Sequence, residues 1–193
     1  ASGTLISGRT MANLLGIAVA RNSVAGLDFR QNGLQNQSAK YTIYGSSETH
    51  VWAQKAAEFL GLGNSFFRKI PVNSAFQLDI EKLKSTVLQD KKEGFVPLAI
   101  IGTTGTVNTA ATDDLKAIGT FCRDEKIWFH VDGAFGAILN FSKELKAINS
   151  GMEMADSIAF DLHKWGYLPF EVACVLIRDS KKHLAAFQTT QPY

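Results

Sequence analysis

Apolar residues follow two alternating rhythms along this chain. Apolar runs at 98–101 and 158–160, and the run 127–131 broken only by His130, suit strands buried on both faces. Between the runs lie stretches with apolar positions three and four apart, the period of a helix with one buried face. In chain order, Leu5 and Ile6 begin a strand, Ser7 and Gly8 turn it, and Met11, Leu14, Leu15, Ala18 and Val19 predict a helix over 9–21. The polar stretch 22–37 reads as a loop or a short irregular helix. A strand at 40–44 leads through Gly45, Ser46 and Ser47 into a helix over about 48–60, ended by Gly61 and Gly63. A strand at 66–72 precedes a helix opened by Asp79 and reaching about 92, with Ile80, Leu83, Val87 and Leu88 on one face. After strand 98–101 comes the hydroxyl-rich loop GTTGTVNTAATDD, whose Asp113 and Asp114 start a helix over 115–124. Strand 127–131 ends at Asp132, a mixed passage covers 142–151, and strands 158–160 and 171–177 flank Pro169 before a short helix at 181–186. This alternation predicts an α/β protein with three α/β/α layers and a mostly parallel sheet, whose ligand sits outside the carboxyl ends of the strands.

Composition narrows the class. With 193 residues, 46% of them apolar and 20% charged, the chain is one large domain or one and a fraction. A formal charge of +2 with both signs interspersed gives no basic stripe, so nucleic acid is not an expected partner. No apolar run approaches a bilayer span, and neither a membrane nor a metal is expected. The start, ASGTLISGRT, lacks the order of a secretory signal. Cys122 falls in a helix and Cys174 in a strand, which suits free buried thiols in a reducing compartment, the cytoplasm by default.

Polar residues at the strand ends carry the candidate chemistry. Lys164 follows a buried strand between Leu162 and Trp165, where partial desolvation makes an amine a usable nucleophile. The alternative is a surface lysine with its stem on Trp165. Gly8 and Thr10 open a helix whose free amides suit a phosphate, unless Ser7 merely caps it. His50 lies in the first turn of its helix, where a neutral ring is expected, as a surface residue or as a flat ring presented at the sheet edge. Asp132, amid Gly133, Ala134, Gly136 and Ala137, has no adjacent cation, and is either a structural hydrogen-bonding group or a site carboxylate with room for a flat ligand beside it. Brought together with the loop at Thr103 to Thr106, these groups ask for a phosphate, a flat ring, a basic ring nitrogen and an aldehyde. Pyridoxal 5'-phosphate has all four.

The stretches SGRTMANLLGIAVAR, TIYGSSETHVWAQKAAEFLGLG, GTTGTVNTAATDDL, WFHVDGAFGA and ADSIAFDLHKW resemble successive motifs of the group II pyridoxal-phosphate-dependent decarboxylases, which include the aromatic amino acid and glutamate decarboxylases. The resemblance runs almost end to end. It implies the large domain of a fold type I enzyme, with Lys164 as the Schiff-base lysine and Asp132 paired to the pyridinium nitrogen. It further implies that His50 stacks on the ring, Ala134 packs beneath it, and Gly8, Arg9 and Thr10 form the phosphate loop with His163 and Ser157 or Asp161 nearby. Thr106 falls on a loop beside the cofactor. The implied reaction is decarboxylation of an amino acid substrate, in a homodimer whose sites lie at the subunit interface.

Arg9 stands where the family usually has a small residue, and Gly133 and Phe135 replace the commoner alanine and tyrosine. Family members are longer, so residues 1–193 are expected to be the central, cofactor-binding part of the large domain, without the N-terminal segment, the C-terminal small domain or the loop that supplies a protonating tyrosine. Other readings are a pyridoxal-phosphate lyase of carbon–carbon bonds, an aldehyde-forming enzyme, an aminotransferase, or a cofactor-binding fragment without turnover. A nucleotide-binding domain is disfavoured by the absence of GxGxxG and GxxxxGK[ST] patterns.

Overall fold

The computed structural model describes residues 1–24, 28–35 and 38–189. Among them, β1 (Ser2–Ser7), β2 (Lys40–Ser46), β3 (Phe67–Ile70), β4 (Phe95–Thr103), β5 (Trp128–Asp132), β6 (Ser157–Asp161) and β7 (Val172–Ile177) form one sheet in the order β1-β7-β6-β5-β4-β2-β3. Strands β3, β2, β4, β5 and β6 run parallel. β7 is antiparallel to both β6 and β1, because a loop rather than a crossover helix joins β6 to β7.

Side-chain alternation along the central strands sends apolar groups to both faces. Ile101 and Trp128 meet α1 (Arg9–Asn22) and α3 (Trp52–Phe59) through Ile17, Val19 and Ala53, while Ile100, Phe129 and Val131 meet α4 (Ile80–Lys92) and α5 (Leu115–Glu125) through Leu83, Val87 and Ile118. The three expected layers are present. Short helix α2 (Phe29–Asn32) lies in the polar stretch, of which 25–27 and 36–37 fall outside the described residues. α6 (Ser180–Phe187) packs against α1, and the chain end at 190–193 is likewise outside them.

Several boundaries differ from expectation for identifiable reasons. β2 continues to Ser46 because Ser47 N–H donates to Ile70 O at 2.8 Å, so α3 starts at Trp52 and His50 precedes the helix. The strand expected at 66–72 ends at Ile70, beyond which Val72 makes only an isolated bridge to Leu78. On α4, Leu83 and Val87 are buried while Leu88 is exposed. Ser7 does not cap α1; the cap position is Gly8, with φ 74° and no side-chain bond. Of the two aspartates before α5, only Asp114 caps it, accepting from Ala117 N–H at 2.9 Å. Asp113 is instead a buried clamp that accepts from Leu78 N–H at 2.7 Å and Thr103 N–H at 2.8 Å, tying the end of β4 to the entry of α4.

This topology gathers the strand ends. Thr103 is the register partner of Asp132, and Asp132 of Ala159, so β4, β5 and β6 finish at one edge. Ser7 pairs with Val172 and Asp161 with Ala173, which brings the Gly8 turn to that same edge.

Candidate active site

Three amides, of Arg9, Thr10 and Met11, open α1 before the first helical bond, from Ala12 N–H to Gly8 O at 3.2 Å. Gly8 N–H itself is used, donating to Glu171 O at 2.8 Å. The helix start faces a cleft of about 520 Å³ lined by Gly8, Arg9, Thr10, Asp161, His163 and Lys164, with Phe170 and Glu171 at its side. A larger cleft of about 630 Å³, between β1, α1 and α6, is lined mainly by apolar surface and holds none of the candidate residues.

Lys164 lies in the turn after β6. Its Nζ stands 2.6 Å from Asp161 Oδ2 and 4.0 Å from the centre of the Phe135 ring, so the amine is ion-paired rather than left in apolar surroundings. The approach to Asp161 is off the hydrogen-bond direction, and both Asp161 oxygens lack a hydrogen-bond partner among the described residues. His163 also lines the cleft; its Nδ1–H donates to Val172 O at 3.0 Å, and its ring meets Phe170 edge-on.

Asp132 is buried at the end of β5. Its Oδ1 accepts from Ala134 N–H at 3.2 Å and its Oδ2 from Trp52 Nε1–H at 2.6 Å, with no salt bridge among the described residues. Ala134, itself buried, keeps the space beside the carboxylate free of bulk. His50 Nδ1 accepts from Trp52 N–H at 3.2 Å, which leaves the neutral ring's proton on Nε2. Burial lowers the pKa of His50, and the charges of Arg9 and Lys164 lower it further against the pull of Asp132.

Two sequence candidates lie differently. Ser157 starts β6, at the opposite end from Asp161, where its Oγ accepts from Trp128 Nε1–H at 2.8 Å and bonds His130 Nδ1 at 2.7 Å. The structure does not bring it to the cleft. Thr106 spends its hydroxyl in its own loop, on Thr109 Oγ1 at 2.7 Å and Ala111 N–H at 3.1 Å, while the adjoining Gly105 leans on Phe135 and Gly136. Trp52 was not singled out by the sequence, because nothing local marks an indole on α3 as a partner for a carboxylate on β5.

Residues 1–193 match the model of the pyridoxal-dependent decarboxylase conserved domain. The chain belongs to that family. It is 33% identical over 193 residues to the aromatic-L-amino-acid decarboxylase of Bacillus atrophaeus, covering 100% of this chain and 38% of that relative. The phenylacetaldehyde synthase of Petunia hybrida is 33% identical over 152 residues, 78% of this chain and 30% of the relative. The crystal structure of mouse CSAD superposes with a TM-score of 0.93 at 28% identity, over 100% of this chain and 41% of that one. The chain thus spans well under half the length of these decarboxylase-family proteins.

The family's cofactor fits the residues present. Among the described residues, the buried side-chain polar atoms without a partner all belong to Thr103 and Asp161, and both residues end strands at this edge. Of these only Asp161 lines the cleft, and it is ion-paired with Lys164, so the fit rests on the donor and acceptor set. The cationic groups Arg9 and Lys164, the amides of α1, the neutral ring of His50 and the carboxylate of Asp132 are a donor and acceptor set suited to pyridoxal phosphate. No helix among the described residues is long and apolar enough to cross a membrane, and no group of three or more acidic, histidine or cysteine side chains there could hold a metal.

Proposed function

We propose that this chain is the cofactor-binding part of a pyridoxal-phosphate-dependent carboxy-lyase that removes the α-carboxylate of an L-amino acid. The observation that carries the reading is the buried Asp132 carboxylate, lacking a cation among the described residues, at the strand edge that also presents Lys164. Pyridoxal phosphate supplies an electron sink, a ring that accepts the electron pair left when a carboxylate departs as CO2. Asp132 would keep the ring nitrogen protonated, Lys164 would offer its amine to the aldehyde, and His50 would present its neutral ring beside the cofactor. Ala134 leaves room beneath. The amides of Arg9 and Thr10 at the Gly8 turn, together with the Arg9 guanidinium, hold the phosphate, with His163 and Asp161 bordering it. Thr106 shapes the adjacent loop wall.

A homodimer is supported by large apolar side chains left exposed, including Phe170 at the side of the cleft and Val107, Phe141 and Tyr167. Location in the cytoplasm is supported by Cys122 and Cys174, both free and buried. The relatives named phenylacetaldehyde synthase favour a second reading, in which an aldehyde forms with uptake of dioxygen. Product analysis of the complete protein with a panel of aromatic and acidic L-amino acids separates the two. Amine and CO2 in equal amounts support the decarboxylase; aldehyde, ammonia and peroxide in equal amounts with CO2, and no amine, support the alternative. Tight cofactor binding with neither product would contradict both.

A further inference from the structure

Trp52 opens α3 and is fully buried. Its Nε1–H donates to Asp132 Oδ2 at 2.6 Å, at the short end for a bond to a carboxylate. The other side of the indole meets His130 edge-on, with ring centres 5.6 Å apart. His130 is itself held on both nitrogens. Asn13 commits its amide nitrogen to Arg9 O at 3.0 Å, so its Oδ1 accepts from His130 Nε2–H at 2.7 Å. Ser157 accepts from Trp128 and therefore gives its own proton to His130 Nδ1. Complete burial pushes His130 down to about 4, only partly opposed by Asp132, which keeps this ring neutral and leaves no imidazolium to compete for the carboxylate. Gly16 of α1 permits the arrangement, since a Cβ there would stand 2.7 Å from His130 Cε1.

The terminal torsion of an aspartate is broad, so a buried carboxylate takes its plane from its donors. Here there are two, Ala134 N–H on one oxygen and the Trp52 indole on the other. Trp52 is the stiffer support, because it is wedged between a locked imidazole and the strand end. We propose that Trp52 is a positioning residue for Asp132, fixing the orientation in which the carboxylate meets the ring nitrogen of bound pyridoxal phosphate. This rests on the reading of the site given under Proposed function.

The test is a spectrophotometric titration with pyridoxal phosphate of the full chain and of its Trp52→Phe, Asp132→Ala and doubly substituted variants, alongside the pH dependence of the visible band. Trp52→Phe keeps an aromatic ring and removes the N–H. The expected result is cofactor binding about tenfold weaker, the loss of one bond to a charged group, and a displaced pH profile of the band. In the Asp132→Ala background the same replacement should add little further loss. Binding and pH profile unchanged in Trp52→Phe, or a loss that adds in full to that of Asp132→Ala, would overturn the proposal. If Trp52→Phe does not fold, the indole N–H signals of the unsubstituted chain, labelled on its three tryptophans, decide instead. The Trp52 signal should move on addition of pyridoxal phosphate, and a signal that stays in place overturns the proposal. Failure of the unsubstituted chain to bind the cofactor would overturn the site reading and this inference together, whereas normal binding with an indifferent Trp52 overturns the inference alone.

Discussion

Lys164 Nζ stands 2.6 Å from Asp161 Oδ2, and that ammonium is the only cation paired with Asp161 among the described residues. The carboxylate is almost wholly buried while the lysine keeps 19% of its side chain exposed, so Asp161 depends on the pair more than Lys164 does. Replacing Lys164 by Met leaves a buried charge without its counter-ion. Thermal unfolding should show Lys164→Met destabilised by about 1–3 kcal/mol. Adding Asp161→Asn should restore most of that loss without restoring covalent attachment of the cofactor. Equal melting of Lys164→Met and the unsubstituted chain would mean that the pair is not maintained in solution.

Glu171 brings a second carboxylate to the phosphate end of the cleft. Its Oε2 lies 2.8 Å from the position a Cβ on Gly8 would take, at the positive end of α1. The exposed side chain can swing away, but its charge opposes a phosphate in the same place. Glu171→Gln should therefore strengthen binding of pyridoxal phosphate about two- to fivefold at low salt, the size of a charge effect at a helix end. Weaker binding in the variant would make Glu171 a ligand rather than a competitor.

Gly8 has φ 74° and ψ 151°, a backbone region almost confined to glycine. Because the neighbouring Glu171 side chain can move, the strain of the dihedral decides the outcome. Gly8→Ala should lower stability by about 1–3 kcal/mol, read from denaturant unfolding, and weaken cofactor binding by shifting the start of α1. An unchanged midpoint would show that the turn relaxes without strain.

Burial pushes the Asp113 carboxyl up from 3.8 to about 6, opposed by its bonds from Leu78 and Thr103. The folded chain then holds this proton more tightly than the unfolded chain does. Stability from this group is complete below the unfolded value near 3.8 and declines as pH rises to about 6. Asp113→Asn cannot titrate and turns one N–H toward a backbone donor, so it is the less stable form throughout. Unfolding free energies should show the advantage of the unsubstituted chain larger at pH 4.5 than at pH 7. A constant or growing advantage over that range would contradict the assignment.

Much of the architecture was legible because buried parallel strands are spelled as nearly unbroken apolar runs. Ile100, Ile101, Phe129 and Val131 announce β4 and β5, and the polar residues at the ends of β5 and β6 follow from where those runs stop. The directions of β1 and β7 were not legible, since antiparallel pairing depends on partners far apart in sequence and β1 leaves Leu5 exposed. The same limit hid the Trp52–Asp132 bond and the separate jobs of Asp113 and Asp114. Ser157 illustrates the converse. The family resemblance implied Ser157 or Asp161 near the phosphate, but the extended strand carries Ser157 to the other end of β6.

The most direct test of the account is to add pyridoxal phosphate to the purified chain, reduce with borohydride and map the labelled peptide. Label on Lys164, with a visible band that Lys164→Ala abolishes, is the predicted result. Label spread over surface lysines, or a band that survives Lys164→Ala, would contradict the central claim that Lys164 and Asp132 frame one cofactor site.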